Sequence, residues 1–323
     1  MAFPGTGKIW MNGSFVDWKD ATVHIASHVI HYGSGVFEGA RCYSTVNGPA
    51  CFRLDPHMRR LIDSARVYRM DSPYTQQQIT DAVMETIRVN GFNHCYIRPL
   101  IYRGYDSLGV FAANCPIDVA VLVWEWGTYF SKEALEQGLD VKVSTWARMA
   151  PNTLPAMAKC VANYANSQLI AMEARLDGYA EGIALDTDGN VSEGSGQNVF
   201  VVRDGVISTP PIGSSVLAGI TRDSAMTIAR DLGFEVREQV MPRETLYLAD
   251  EVFFVGTAVE ITPIRSVDKI TVGRGSRGPI TAAIQQRFQD IVSGHAPDTH
   301  GWLTYVNAPA GRTEAAALAA RDR

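Results

Sequence analysis

The stretch Ala150-Pro151-Asn152-Thr153-Leu154-Pro155-Ala156-Met157-Ala158-Lys159 limits the fold more than any other part of this 323-residue chain. Each proline fixes its own φ, removes a backbone donor and biases the residue before it toward extended geometry, so the run suits neither a helix nor an interior strand. Beyond it Val161, Ala162, Ala165, Leu169 and Met172 recur at helical spacing, which predicts a helix from about Ala158 to Gly178. The chain thus carries a stiff loop that delivers one lysine to the mouth of a helix. Among small and apolar neighbours a charged amine costs free energy, and such desolvation prepares a lysine to form a Schiff base with a carbonyl. Lys159 is the candidate catalytic residue; the competing reading is a solvated lysine near a helix start.

Composition sets the class. With 46% hydrophobic and 20% charged residues the chain can bury a substantial core, and its length suggests about two domains. A formal charge of -5 without any basic run argues against nucleic-acid or anionic-membrane partners. No apolar run approaches the roughly 20 residues of a spanning helix, and the start lacks a signal-peptide core, so a cytoplasmic location is expected. The five cysteines include no C-x-x-C pair, which points to neither a disulfide framework nor a metal site.

Along the first half, Asn12-Gly13 between apolar runs predicts a hairpin, and Thr22 to Ile25 has strand composition. Gly33, Gly35 and Gly39 lie close together, as backbone approaching a ligand or neighbour requires, or as tight turns do. Asp55 is a candidate N-cap for a helix to about Tyr68, on which only one of Arg59 and Arg60 can face a site. Thr75 with Gln78 reads as a capping box opening a second helix, which Gly91 ends. In the strand Cys95 to Arg103, Tyr96 and Arg98 share a face and could grip a carboxylate, while Pro99 implies an edge or a break. Ile117 to Trp126 reads as a buried strand. The breaker at Gly127 divides the chain into a small domain, 1–127, a linker, 128–138, a larger domain, 139–307, and a flexible tail, 308–323.

In the second half, Asp140 to Trp146 is a strand, and Glu181 to Asp186 with Val191 to Val202 forms a hairpin around Asp188-Gly189. Ala218-Gly219-Ile220-Thr221 precedes a helix from Arg222 to Leu232, where free N–H groups suit an anion, although Thr221 could equally be only a cap. Gly256-Thr257-Ala258, after an apolar strand, makes a second anion nest. Gly273-Arg-Gly-Ser-Arg-Gly278 matches G-x-G-x-x-G, a weak sign of nucleotide binding without a following helix and strand; a helix follows from Pro279, but no strand is expected after it.

These blocks occur in one order with His31-Tyr32-Gly33, Val36-Phe37-Glu38-Gly39, His57-Met58-Arg59-Arg60-Leu61, Ser192-Glu193-Gly194 and Leu248-Ala249-Asp250-Glu251. From about Ile9 to about Asn307 the chain resembles the branched-chain amino acid aminotransferases, pyridoxal-phosphate enzymes of fold type IV. That resemblance implies a mixed α/β (α+β) fold of two domains with the active site between them, and pyridoxal 5'-phosphate bound on Lys159. It further implies that Arg60, Leu217, Gly219, Ile220, Thr221, Gly256 and Thr257 hold the cofactor, and that Tyr164 bonds its phenolate oxygen. Glu193 would hold the pyridine nitrogen protonated, the electron sink that Cα deprotonation needs. The substrate side would comprise Phe37, Gly39, Tyr96, Arg98, Val110, Trp126 and Tyr129, the backbone of Thr257 and Ala258, and Tyr32 contributed across a homodimer. The implied substrates are L-leucine, L-isoleucine and L-valine, their 2-oxo acids, and glutamate with 2-oxoglutarate. A D-amino acid or (R)-amine transaminase and an aminodeoxychorismate-type lyase are the alternatives within the fold, and a cofactor-free Schiff-base aldolase or a nucleotide-binding protein lie outside it.

Overall fold

Asn12 and Gly13 take φ of 48° and 91°, the double positive φ that closes a two-residue turn, and they join β1 (Lys8–Met11) to β2 (Ser14–Asp17). In this computed structural model, which describes residues 5–127 and 130–307, the hairpin is one edge of an eight-stranded sheet. Thr22 to Ile25 forms no strand; Val23 and Ile25 are exposed, and the chain turns into the short α1 (His28–Tyr32). The sheet continues with β3 (Gly35–Phe37), β4 (Ala40–Thr45), β5 (Gly48–Phe52), β6 (Cys95–Arg103) and β7 (Ile117–Trp124), ordered β5-β4-β6-β7-β1-β2 with β3 also on β6.

Two helices bury its inner face. In α2 (Leu54–Val67) the residue before the helix is Arg53, at φ 53° with its N–H on Trp302 O, so Asp55 lies inside the first turn instead of capping it. In α3 (Gln76–Asn90) both halves of the Thr75–Gln78 capping box form, and Gly91 ends the helix at φ 68°. Met58, Leu61, Ile79, Val83 and Ile87 pack on Ile97, Ile101 and Val121 in one core, and burying each such side chain contributes about 1.5–3 kcal/mol. Pro99 sits in a strand paired on both sides, because its missing donor falls where β3 ends and β4 begins. The break is in the neighbouring strand.

The second sheet is nine-stranded. After α4 (Lys132–Gln137), which occupies much of the stretch read as a linker, come β8 (Leu139–Val143), β9 (Glu181–Leu185), β10 (Val191–Gly194) and β11 (Asn198–Arg203). They are followed by β12 (Val206–Thr209), β13 (Val236–Glu238), β14 (Glu251–Gly256), β15 (Glu260–Val267) and β16 (Ile270–Thr271). The order is β10-β9-β8-β15-β14-β11-β12-β13, with β16 on β15. The expected single strand from Val191 to Val202 is split, since Gly194 N–H bonds Gln197 O and a turn at Ser195-Gly196-Gln197 sends β10 to β9 and β11 to β14.

Helix α5 (Asn163–Leu176) starts later than its apolar spacing suggested and buries Asn163, Ser167, Ile170 and Ala174, leaving Leu169 and Met172 exposed. The buried face is the one that meets β9. Ile170 and Ala174 fit against Gly182 of β9, where a Cβ would lie 2.8 Å from Ile170 Cγ2. Two more helices, α6 (Ile220–Asp231) and α7 (Pro279–Val292), bring Ile228, Ile284 and Phe288 onto Phe200 and Phe253, in a core shared with Tyr43 and Phe52 of the first sheet and with Trp302 beyond α7. After α7 the chain does form a strand, β17 (Leu303–Tyr305), but it is antiparallel to β5 in the other sheet and completes no nucleotide-binding unit. The α7 N-terminus is already filled: Glu251 accepts Ile280 N–H at 2.9 Å and Thr281 N–H at 2.7 Å. Gly278 makes room for that carboxylate, since a Cβ there would lie 2.0 Å from Glu251 Cδ.

Candidate active site

Lys159 lies on the segment between β8 and α5, where it runs beside the first sheet. Its carbonyl accepts Phe37 N–H at 3.1 Å and its N–H donates to Ser64 Oγ at 3.0 Å. Asn163 pins the loop from below, donating to the carbonyls of Pro155 and Ala158, both at 3.1 Å. Because α5 starts only at Asn163, Tyr164 is in its first turn and its hydroxyl reaches Lys159 Nζ at 2.5 Å. The amine also lies 5.0 Å from the Phe37 ring centre and 5.0 Å from that of Tyr164. A primary amine is therefore held over two touching aromatic rings at the seam of the two sheets.

Glu193, on β10, enters the same cleft. A register shift between Val191 and Glu193 re-aims the strand there. The carboxylate is almost fully buried and accepts Arg148 Nη2 at 2.8 Å, Leu217 N–H at 3.1 Å and Asn198 Nδ2 at 3.1 Å. Burial pushes its pKa up, and Arg148 is the first group opposing that rise. Arg148 escaped the sequence reading: nothing local distinguishes an arginine in a loop from a solvated one, and only its burial against Glu193 reveals it. Asn198, beside Gln197, was equally silent.

Opposite Glu193 the cleft is built for an anion. Gly219 precedes α6 with no side chain capping the helix, so the first N–H groups are available. Thr221 is the second helical residue, not the cap, and its hydroxyl lies 3.5 Å from that of Thr257 in the Gly256-Thr257-Ala258 turn. A Cβ at Gly219 would meet Asn198 Oδ1 at 1.9 Å, so a side chain there would displace the amide that bonds Glu193. Arg60 borders the cleft and donates to Ala218 O at 2.7 Å, whereas Arg59 faces solvent. The other positions named for the cofactor, Leu217, Ile220 and Gly256, line this cleft with Lys159. Two N–H nests, two hydroxyls and an arginine at one end, with a carboxylate and an amine beyond, fit a phosphorylated pyridine aldehyde.

A second cleft adjoins it, sharing Lys159, Tyr164 and Thr257. Phe37, Gly39, Tyr96, Arg98, Trp126 and Ala258 line it. Tyr96, Trp124 and Trp126 form one aromatic cluster, each tryptophan ring 4.9 Å from that of Tyr96 and 5.9 Å from the other. The Arg98 guanidinium lies 4.6 Å over Phe37 and 5.4 Å over Tyr96, and its buried Nε has no hydrogen-bond partner among the described residues. Val110 does not line this chain's cleft, and Tyr32, expected from a second copy, does not line it either. Val110 is 87% exposed, and Tyr32, 44% exposed, donates to Leu108 O. Tyr129 lies outside the described residues.

The family described as Amino-transferase class IV matches residues 35–267. The branched-chain-amino-acid aminotransferase of Escherichia coli (strain K12) is 52% identical over 300 residues, covering 93% of this chain and 97% of that one. Its namesake in Pseudomonas aeruginosa is 43% identical over the same shares. Among solved structures, the crystal structure of the E. coli branched-chain amino acid aminotransferase superposes with a TM-score of 0.92 over 94% of this chain and all of that one, at 52% identity. The T.th. branched-chain amino acid aminotransferase with pyridoxamine 5'-phosphate does so at 0.91 and 46% identity, over 94% and 99%. A mixed α/β architecture of fold type IV and an amine-bearing cleft at the seam of its sheets are thus accounted for together: the chain belongs to the class IV aminotransferases, among the branched-chain-amino-acid aminotransferases.

Proposed function

We propose that this protein transfers the amino group of L-leucine, L-isoleucine or L-valine to 2-oxoglutarate, with pyridoxal phosphate carried on Lys159. The observation that supports it most is the meeting of Lys159, Glu193 and an anion nest in one cleft that opens onto an aromatic pocket with a buried arginine. When bound, the cofactor supplies an aldehyde for the amino group and a ring that withdraws electrons from Cα. Lys159 takes and returns the Cα proton, and the Tyr164 hydroxyl keeps its amine in place. Glu193, ionised through Arg148, favours a protonated pyridine nitrogen. Arg60, Thr221 and Thr257 hold the phosphate. Tyr96 with the Thr257 and Ala258 backbone receives the α-carboxylate, and Arg98 serves the side-chain carboxylate of glutamate. Phe37 and Trp126 form apolar walls suited to branched aliphatic chains.

The reading extends to a homodimer in which a second copy brings Tyr32 and Val110 to this pocket; the exposure of both side chains supports it. No helix among the described residues is long and apolar enough to cross a membrane. Five free, buried cysteines fit a reducing compartment, the cytoplasm. The test is borohydride reduction followed by peptide mapping, with Lys159→Ala as control, and a panel of L- and D-amino acids with 2-oxoglutarate. Label on Lys159 and L-leucine-dependent glutamate formation, lowered at least about 10³-fold by Lys159→Ala, are expected. Preference for D-amino acids, or pyruvate release without an acceptor, would refute it.

A further inference from the structure

Glu38 is fully buried between two residues, Phe37 and Gly39, whose side-chain and backbone surfaces line the substrate cleft. Its own side chain points the other way, into α2. One oxygen accepts Arg60 Nε at 2.6 Å; the other accepts Arg60 Nη2 at 2.9 Å and lies 2.7 Å from His57 Nδ1. The second oxygen also takes Gly39 N–H at 3.2 Å. An ionised carboxylate only accepts, so His57 must carry its proton on Nδ1. Burial opposes the charge on Glu38, yet Arg60 and His57 hold its carboxyl well below the usual range. Burial also pushes His57 down, against the pull of Glu38.

Arg60 is therefore gripped along one edge by a two-oxygen fork, and its third nitrogen is spent on Ala218 O at 2.7 Å, in the loop that leads to the α6 N-terminus. We infer that Glu38 is the positioning residue of the phosphate end of the site: it fixes the Arg60 guanidinium against the Ala218–Thr221 loop and ties that arginine to the strand break that forms the substrate wall. The inference rests on the reading of Arg60 as a phosphate ligand. Two effects of Glu38 oppose each other. Its charge offsets that of Arg60, which weakens attraction for a dianion, while its fork removes the rotational freedom of a long side chain, which strengthens the hold. Orientation prevails here, because a glutamine would face the donors of Arg60, His57 and Gly39 with a single acceptor oxygen and an NH2 group that also donates.

The test uses the holoenzyme. Excess L-leucine without an oxo acid converts the cofactor to its amine form, which is no longer covalently held, and its release is followed by fluorescence after rapid gel filtration. Glu38→Gln should release it at least about 10-fold faster than the wild type, Glu38→Asp by a smaller factor, and Arg60→Lys to a degree comparable with Glu38→Gln. Thr75→Ala removes a helix cap outside the cleft; it should lower the melting temperature and leave the release rate unchanged, which separates positioning from general loosening. Release unchanged or slowed in both Glu38 variants while Arg60→Lys speeds it would overturn the inference and leave the phosphate reading standing. Release unchanged in Arg60→Lys would overturn both. Should Glu38→Gln fail to fold, Glu38→Asp decides, since a shorter carboxylate retains the charge and loses only reach.

Discussion

Gly39 offers the sharpest test of the substrate pocket. A Cβ built there would lie 2.0 Å from the Tyr96 hydroxyl and 2.8 Å from Tyr96 Cζ. Comfortable contacts between heavy atoms fall near about 3.5 Å, so Gly39→Ala forces the tyrosine tip back by roughly 1 Å or more. The ring has little freedom to retreat, because Trp124 and Trp126 both pack on it at 4.9 Å and the Arg98 guanidinium lies 5.4 Å over it. The strain would cost about 1–3 kcal/mol of stability as an overpacked site. A catalytic group misplaced by about 1 Å can cost about 100-fold in rate, and losing one hydrogen bond to a charged carboxylate costs about 1.5–3 kcal/mol, or about 10–100-fold. The expected result is a drop of that size in kcat/KM for L-leucine, with a melting temperature lowered by a few degrees. Tyr96→Phe should lose a similar factor. If the alanine acts through the tyrosine hydroxyl, the double variant should lose little more than either single one. Strictly multiplying losses, or wild-type kcat/KM in Gly39→Ala, would refute the argument.

Two further outcomes concern charge. Burial raises the Glu193 carboxyl and Arg148 is the first group opposing that rise, so Arg148→Met removes the largest opposition; the acid limb of the kcat–pH profile should move to higher pH. An unmoved limb would mean that Glu193 does not control the rate. Burial also works against Glu173, but Ser144, Lys142 and Thr145 hold its carboxyl down to about 2 from 4.5. A depressed carboxyl stabilises above its unfolded value and loses that contribution as pH falls through its folded one. Glu173→Gln should therefore lower the melting temperature by at most about 3 °C at pH 7, and the gap should narrow below pH 4.5.

The parts legible in the sequence are those decided locally. The Asn12-Gly13 turn, the Thr75 capping box and the bounds of β6 each follow from dihedral preference or from hydrogen bonds within a few residues, and all three are found. The lysine loop was readable because prolines state their geometry. What escaped is decided by contacts between distant segments. Which face of α5 is buried depends on the close approach of Gly182, and where the helix starts on Asn163 stapling the loop. The tolerance of β6 for Pro99 depends on where two other strands meet. Arg148 became visible only once β10 stood beside it, 45 positions further along the chain, and Glu251 against Gly278 turned an apparent glycine motif into a seat for a carboxylate.

The loop that carries Val110 is the feature least economical for a single chain. Val110 and Phe111 are 87% and 83% exposed, and Ile25, Ile30, Tyr105 and Leu108 are exposed as well. Yet the loop is anchored: Tyr32 donates to Leu108 O at 2.6 Å, His28 Nε2 lies 3.0 Å from Gly109 O and its ring stacks on Tyr32, and Ser27 bridges Tyr105. Polar groups are spent on holding apolar tips outward, an arrangement that lowers free energy only if another surface covers those tips. In a twofold dimer each side chain is buried twice. At about 1.5–3 kcal/mol per phenylalanine, Phe111→Asp removes about 3–6 kcal/mol and should weaken association by roughly 10²–10⁴-fold. Sedimentation together with activity from nanomolar to micromolar protein should show a dissociating enzyme whose turnover of L-leucine falls with its dimer fraction, as the proposed contribution of Tyr32 and Val110 by a second copy requires. A dissociated variant with full turnover would show that this chain's own residues complete the site.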